Sequence, residues 1–193
     1  MAPRASATLT RMHGELEGLG QLSDARLDVV RQAPSDQGRL ELIVRRPSEG
    51  AREVLATAHL DLELGLVGDR WATRNVQATP AYLAAQLTVM STRVLAAIEP
   101  DRDRWPLAGD QLCVDLDLGT DNLPAGSRLA IGTAVIEITD APHTGCAKFG
   151  ARFGSEAVRW VNSPTGRANR LRGLNARVVV PGEIRVGDLI RKV

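Results

Sequence analysis

Residues 111–118 read Gln-Leu-Cys-Val-Asp-Leu-Asp-Leu, and this alternation of polar and apolar side chains decides the fold. Successive side chains of a β-strand point to opposite faces of the sheet, so the aliphatic residues of the stretch share one face. The pattern predicts a half-buried strand with a core face formed by Leu112, Val114, Leu116 and Leu118. Cys113 falls on the opposite face, together with two aspartates.

Short segments of similar character flank this strand in both directions, bounded by glycine and proline turns. The predicted strands cover residues 27–31, 40–44, 52–58, 86–90, 111–118, 129–131, 134–139, 175–180 and 184–191. The first two form a predicted hairpin around the turn at residues 34–38. Helical spacing is confined to short segments at residues 92–98, 155–161 and 165–171.

Many short strands with glycine corners and few helices are typical of a β-barrel. We therefore predict a mainly β fold, a β-barrel with a few short α-helices. Residues 25–193 form one predicted domain, because no repeat or long linker divides them. Residues 1–24 contain three glycines among mixed apolar and charged residues, and we interpret them as an N-terminal arm or a weak helix.

The composition excludes several classes of protein. With 193 residues, 44% hydrophobic and 24% charged, the chain has the profile of one soluble globular domain. Aromatic residues make up only 3%, too few for a module that stacks nucleic-acid bases, and no apolar run approaches the roughly 20 residues of a membrane span. The first residues lack the apolar core of a signal peptide, and two cysteines are too few for a disulfide framework. We therefore expect a cytoplasmic protein with reduced thiols and no nucleic-acid or membrane partner.

The formal net charge of +1 hides an asymmetry along the chain. Residues 1–140 hold 14 basic and 20 acidic side chains, a net charge of −6, whereas residues 141–193 hold 10 basic and 3 acidic ones, a net charge of +7. Nearly all the basic residues are arginines, whose planar fork suits phosphate or carboxylate. The basic segment is interpreted either as a binding surface for a small phosphorylated ligand or as a solvated face.

Common catalytic and metal-binding motifs are missing from the sequence. The three histidines are scattered and there is no Cys-x-x-Cys, which argues against a structural zinc site. No phosphate-binding loop of the Gly-x-x-x-x-Gly-Lys type and no Gly-x-Gly-x-x-Gly fingerprint is present, so neither a kinase nor a dehydrogenase is indicated. The sequence also lacks the Gly-x-Ser-x-Gly elbow of many serine hydrolases.

Residues 141–154 form a conspicuous loop between a predicted strand and a predicted helix. Cys146 lies in this glycine-rich loop, with His143, Lys148 and Arg152 close in sequence. Cationic neighbours favour a thiolate, which is both a nucleophile and a ligand for soft metals. A lone cysteine is also a common small core residue, so catalysis and packing are both open at this stage.

From about His59 to Val193 the chain resembles the MOSC domain family, named for the C-terminal domain of molybdenum-cofactor sulfurase. The resemblance depends on five blocks in the family's order. They are Gly65–Asp69, Gln86–Met90, Gly109–Leu112, a Pro-x-x-x-Cys-x-Lys-Phe element at residues 142–149, and Ile184–Asp188. The family's fold is similar to the strand-rich barrel predicted above. The resemblance points to a stand-alone member of bacterial type.

The resemblance implies that Cys146 stands at the family's cysteine, which carries sulfur as a persulfide or coordinates molybdenum in a bound cofactor. Because the molybdenum cofactor is an anionic pterin phosphate, basic and loop residues become candidate contacts. The candidates are His143, Lys148, Arg152, Arg167, Arg170, Arg172, Arg177, Asp69 and Asp110. Asp69 and Asp110 follow glycines in loops, where aspartate also caps backbone amides, and both interpretations stay open.

Two functions follow as expectations from this resemblance. The first is sulfur transfer, or molybdenum-dependent reduction of small N-hydroxylated compounds, with a redox or sulfur-donor protein as partner. The alternative is a noncatalytic binding or carrier module for an anionic, phosphorylated ligand, which leaves open whether the chain is an enzyme. The family's association with pyridoxal phosphate belongs to fused sulfurase domains, so this cofactor is not expected here.

Overall fold

The computed structural model describes residues 25–74 and 79–193, and the predicted N-terminal arm at residues 1–24 lies outside them. The strands are β1 (Gln37–Arg45), β2 (Glu53–Leu55), β3 (Thr57–Asp61), β4 (Gly65–Leu66), β5 (Leu87–Ser91), β6 (Leu112–Asp115), β7 (Arg128–Ile131), β8 (Ala134–Ile138), β9 (Leu174–Val180), β10 (Gly182–Arg185) and β11 (Leu189–Lys192). Residues 25–31 are helical and are called α1. The other helices are α2 (Trp71–Arg74), α3 (Pro80–Leu83), α4 (Thr92–Ile98), a 3₁₀ helix (Arg102–Ala108), α5 (Ala147–Asn162) and α6 (Pro164–Ala168).

Seven of these strands close into a barrel. They follow the order β11-β7-β8-β9-β5-β6-β1, and β1 pairs back with β11. All neighbours are antiparallel except β5 and β6. At the closure Gly38 pairs with Ile190, and a Cβ on Gly38 would lie 1.8 Å from the carbonyl oxygen of Asp115. Glycine is therefore required where β1 contacts both β6 and β11.

The interior of the barrel is filled by the aliphatic residues that the alternation identified. Leu112, Val114, Leu116 and Leu118 are all buried in this core, as predicted. Cys113 faces outward on β6, yet it is also buried, because α4 and α5 cover this side of the barrel and pack with it around Met90 and Phe149. The helices therefore form a second core on the outer barrel wall.

Three predicted strands were wrong in detail. The predicted strand at residues 52–58 is split between β2 and β3, which belong to different sheets. The predicted strand at residues 27–31 is part of helix α1, so the hairpin with β1 does not exist, and β1 pairs with β2, β6 and β11 instead. Leu27 and Val30 lie three residues apart and are both buried, which is the spacing of one helix face. The predicted strand at residues 184–191 is split between β10 and β11, which belong to different sheets.

The prediction of a mainly β barrel with a few short helices is confirmed. A smaller sheet of β10, β3 and β4 accompanies the barrel. Within the residues that the structure describes, no helix is long and apolar enough to cross a membrane.

Candidate functional site

Cys146 is the residue that precedes helix α5, in the N-cap position. Its backbone is extended (φ −108°, ψ 175°), and its carbonyl oxygen accepts the first helical hydrogen bond, from the amide of Gly150 at 3.0 Å. The sequence placed the start of this helix at Ser155, but that residue begins only its second half. The two halves join at a kink at Gly154, which has φ 87°. Cys146 is exposed, as predicted for an accessible loop cysteine.

The loop that carries Cys146 is fixed by side-chain amides. The Asn162 amide donates to the carbonyl oxygen of Gly145 at 2.9 Å and accepts from the Gly145 amide at 2.8 Å. A Cβ on Gly145 would lie 3.0 Å from a methyl group of Val161, so a glycine allows this close approach. At the start of the loop, Asn175 donates to the carbonyl oxygens of Ala141 and Pro142. The thiol is therefore presented from a held segment rather than from a loose one.

The position of Cys146 also changes its acidity. The backbone amide of Phe149 has the largest effect and lowers the pKa of Cys146 below its ordinary value, because a thiolate would accept from this amide. The backbone amide of Lys148 and the charge of Arg172 lower the pKa further, while partial burial opposes them. Helix N-termini favour a negative charge for the same reason.

A buried network lies beside the cysteine. Asp110 accepts from Arg172 Nη1 at 2.7 Å with one carboxylate oxygen and contacts His143 Nε2 at 2.8 Å with the other. Arg172 also donates to the carbonyl oxygen of Ala108, and its guanidinium lies 4.7 Å from the ring centre of Phe149. Burial raises the pKa of Asp110, but Arg172 and His143 together outweigh this effect and lower it to about 2.

Cys146 opens onto a cavity of about 620 Å³ between the β1–β2 loop and α5. Five arginines and one lysine line it, against a single carboxylate, that of Glu49. The basic residues are Arg46, Arg52, Arg70, Lys148, Arg152 and Arg172. The cavity is therefore strongly electropositive.

Three of these arginines, Arg52, Arg70 and Arg152, form no salt bridge with a carboxylate among the described residues. A Cβ on Gly109 would lie 3.3 Å from Arg52 Nη2 and 3.9 Å from Arg152 Nη1, so both guanidinium groups converge on this glycine. Burial has the largest effect on Arg52 and lowers its pKa, and the charges of Arg152, Arg46 and Arg70 lower it further. The buried Nε of Arg52 has no hydrogen-bond partner. We call these three residues the arginine cluster.

The remaining charges of the cavity are balanced. Asp69 is buried and accepts from the Arg46 side chain through both carboxylate oxygens, as well as from the backbone amides of Arg46 and Trp71. It therefore fixes Arg46 and caps amides, and it does not itself line the cavity. Lys148 forms an exposed ion pair with Glu49 at 2.8 Å.

The predicted site residues divide into three groups. His143, Cys146, Lys148, Arg152 and Arg172 line the main cavity, and Asp110 is bonded to two of them. A smaller neighbouring cavity of about 270 Å³ is lined by Arg167 and Arg170 and shares His143 and Arg172. Arg177 lines neither cavity and forms an ion pair with Glu137.

Three basic residues of the cavity were not predicted from the sequence: Arg46, Arg52 and Arg70. They lie in the acidic part of the chain, whereas the excess of positive charge lies in the last 53 residues. The one available signal was that Arg70 directly follows the Gly65–Asp69 block.

The residues around the cavity also define what could hold a metal. In the part of the chain that the structure describes, no three His, Cys, Asp or Glu side chains form a metal-binding group. Cys113 is buried, and burial raises its pKa. Cys146 is therefore the thiol available to a ligand in the cavity.

The protein is a closed β-barrel with one exposed cysteine at the start of a helix. This cysteine opens onto an arginine-lined cavity, so the class of the protein is a β-barrel domain with a cysteine-centred site. The chain belongs to the MOSC domain family, whose model matches residues 84–191. This result confirms the family predicted from the sequence. A search of curated proteins gave no match.

Solved structures share the fold. The YuaD protein from Bacillus subtilis is similar with a TM-score of 0.60 at 18% identity, over 80% of this chain and 94% of that one. YiiM from Escherichia coli has a TM-score of 0.53 at 22% identity, over 80% of this chain and 69% of that one. YiiM from Geobacillus stearothermophilus has a TM-score of 0.51 at 15% identity, over 83% and 74% of the two chains.

Proposed function

We propose that the main cavity binds the molybdenum cofactor and that Cys146 is the sulfur atom that acts on it, as a ligand to molybdenum or as a carrier of persulfide sulfur. The observation that carries the proposal is the exposed thiol of Cys146, whose pKa is lowered, on a cavity that the arginine cluster also lines. A soft thiolate and hard cations in one cavity suit a ligand with a soft metal end and an anionic end.

The residues of the cavity fit such a ligand. A volume of about 620 Å³ lies within the range of small-molecule sites. The converging groups of Arg52 and Arg152 offer donors to a phosphate, and the unpartnered Nε of Arg52 is a buried donor that a ligand can satisfy. Because residue 109 is a glycine, no side chain fills the space beside these two guanidinium groups.

Each residue has a distinct role in the proposed complex. Cys146 supplies the sulfur, and the amides of α5 keep it as a thiolate. The arginine cluster holds the phosphate, while Arg172, which Asp110 holds in place, forms a wall of the cavity beside it. When bound, the cofactor would supply the electrons that reduce a small N-hydroxylated substrate.

A second function is a noncatalytic binding or carrier module for a phosphorylated ligand. The arginine cluster favours it independently of Cys146, because its guanidinium groups lack salt-bridge partners among the described residues whatever the thiol does. In this case the cysteine contributes no turnover, and the anionic group of the ligand supplies most of the binding energy.

The test is the retention of ligand by protein purified from a host that makes the cofactor. We expect molybdenum, measured by elemental analysis, or a persulfide on Cys146, measured by mass spectrometry of the intact protein. Cys146→Ser should remove both, and the double variant R52Q/R70Q should lower ligand retention at least about tenfold through lost charge-assisted bonds. The control R128Q/R177Q removes two exposed arginines that pair with Glu137 outside the cavity.

The outcomes separate the two functions. Purified protein with neither molybdenum nor persulfide rejects the first. A phosphorylated ligand that Cys146→Ser retains, but that R52Q/R70Q loses, identifies the carrier module. Equal losses in R52Q/R70Q and in the control would show that the arginine cluster is not the anion site.

A further inference from the structure

The ring of His143 lies where the two cavities meet. It lines both of them, and its side chain is only 16% exposed. Cys146 follows three residues later in the same held loop and lines the larger cavity. Binding of an anionic ligand by the arginine cluster does not require an imidazole here.

Asp110 fixes which nitrogen of His143 carries a proton. Because the pKa of Asp110 is about 2, the residue is a carboxylate at neutral pH and can only accept hydrogen bonds. His143 Nε2 must therefore donate to it at 2.8 Å. The second ring nitrogen, Nδ1, makes no hydrogen bond within the described part of the chain.

The charge of Asp110 is balanced without His143. Arg172 already pairs with Asp110 at 2.7 Å, so the buried carboxylate does not depend on the imidazole for a counter-ion. Arg172 is itself held by Ala108 and Phe149, which keeps Asp110 in place. A histidine that a buried carboxylate orients, with its other nitrogen unoccupied, is the arrangement that general acid–base catalysis uses.

We propose that His143 is the proton donor when Cys146 receives sulfur from a persulfide donor, and that Asp110 is its positioning residue. The inference rests on the proposed function of Cys146 as a sulfur acceptor. The Cys146 thiolate attacks the outer sulfur of R–S–SH, and a new S–S bond forms as the donor's S–S bond breaks. The reacting ring is the imidazolium, with Nε2–H bonded to Asp110 and a second proton on Nδ1. The electron pair leaves on R–S⁻, which takes this Nδ1 proton. The products are the Cys146 persulfide, R–SH and neutral imidazole, and no outside oxidant is needed.

The dependence of rate on the leaving group tests the proposal. A leaving thiolate of high pKa needs a proton, whereas one of low pKa leaves without help. The two probes are uncharged, so the arginine cluster treats them alike: bis(2-hydroxyethyl) disulfide, with an alkyl leaving group of high pKa, and 4,4′-dithiodipyridine, with a leaving group of low pKa. Protein with Cys146→Ser provides the background rate.

We expect H143Q to slow the reaction with the alkyl disulfide by at least about tenfold, because general acid catalysis typically contributes about 100-fold or more. The same variant should leave the rate with 4,4′-dithiodipyridine, and alkylation by iodoacetamide, within about twofold, since neither leaving group needs a proton. Glutamine can still donate to Asp110 but has no proton to release. The control is H59Q, at an exposed histidine on β3 outside both cavities.

Equal slowing of all three reactions would mean that His143 merely holds the loop, and unchanged rates would mean that it takes no part. Either result overturns the role of His143. The test needs no molybdenum and no natural sulfur donor. Failure of the cofactor experiment therefore rejects the proposed function without affecting the result for His143, and a Cys146 that reacts with neither disulfide contradicts both.

Discussion

Replacing Asp110 with alanine is expected to lower the free energy of unfolding by about 3–5 kcal/mol. The side chain of Asp110 is fully buried, and that of Arg172 is only 7% exposed. Without the carboxylate, the guanidinium of Arg172 would stay buried with no counter-ion, and this uncompensated charge causes most of the loss. Urea unfolding followed by circular dichroism measures the change.

The matched control is Asp115→Ala, which removes a carboxylate paired with Arg93 at 2.6 Å. Both partners of this pair are about one-third exposed, so water can solvate the remaining charge, and we expect a loss of about 1 kcal/mol or less. If the two variants lose similar stability, then Arg172 does not depend on Asp110, and the wall of the cavity is not built as described.

The same carboxylate should give the protein an acid-sensitive component of stability. The pKa of Asp110 is lowered from 3.8 to about 2 on folding, so its contribution is fully present above about pH 4 and is lost as the pH falls towards 2. The difference in stability between the unaltered protein and Asp110→Ala should therefore narrow over this interval. A difference that stays constant from pH 5 to pH 2 would contradict the lowered pKa.

The alternation of side chains predicted the barrel interior because strand faces have a period of two. Leu112 and Val114 are fully buried for this reason. The closure of the barrel could not be predicted from the sequence. Gly38 and Ile190 pair there although most of the chain separates them, and no local sequence pattern indicates such a contact. The sequence feature that reflects this closure is the glycine at residue 38, where a side chain would not fit.

The prediction was least accurate for helices, at residues 27–31 and at the start of α5. Five residues at 27–31 fit a strand by composition, and only the three-residue spacing of the apolar residues Leu27 and Val30 favours a helix. For α5, the glycines at positions 150 and 154 favour a loop by composition. The structure places Gly150 inside the helix and uses only Gly154 as a kink.

Residues of the candidate site could be predicted when they are close to Cys146 in sequence. Residues that reach the cavity from other strands or loops could not. His143, Lys148 and Arg152 were found by proximity in sequence, and they do line the cavity. The net charge of the last segment indicated either an anion-binding surface or a solvated face, and it could not say which arginines belong to which. Arg177 is neutralised by Glu137, whereas Arg52, from the acidic part, lies in the arginine cluster.

Cys146 should react with iodoacetamide about 100-fold or more faster than Cys113 near neutral pH. The thiolate is the reactive form, and the amides of Phe149 and Lys148 and the charge of Arg172 lower the pKa of Cys146. Cys113 is 1% exposed, and burial, followed by the charge of Asp110, raises its pKa. Mass spectrometry of proteolytic peptides from briefly labelled, folded protein measures both rates. Faster labelling of Cys113 would contradict the outward position of Cys146.

Two physical explanations for the reactivity of Cys146 predict different effects of side-chain substitutions. If the side-chain charges that flank Cys146 in sequence, those of Lys148 and Arg152, lowered its pKa most, then Arg152→Ala would slow the reaction. The structure assigns the largest effect to the backbone amide of Phe149, and among side-chain charges it assigns the effect to Arg172. Because a backbone amide survives any side-chain substitution, Arg152→Ala and Lys148→Ala should each change the rate less than about threefold. A tenfold loss in either variant would show that side-chain charge, rather than the N-terminus of α5, activates the thiol.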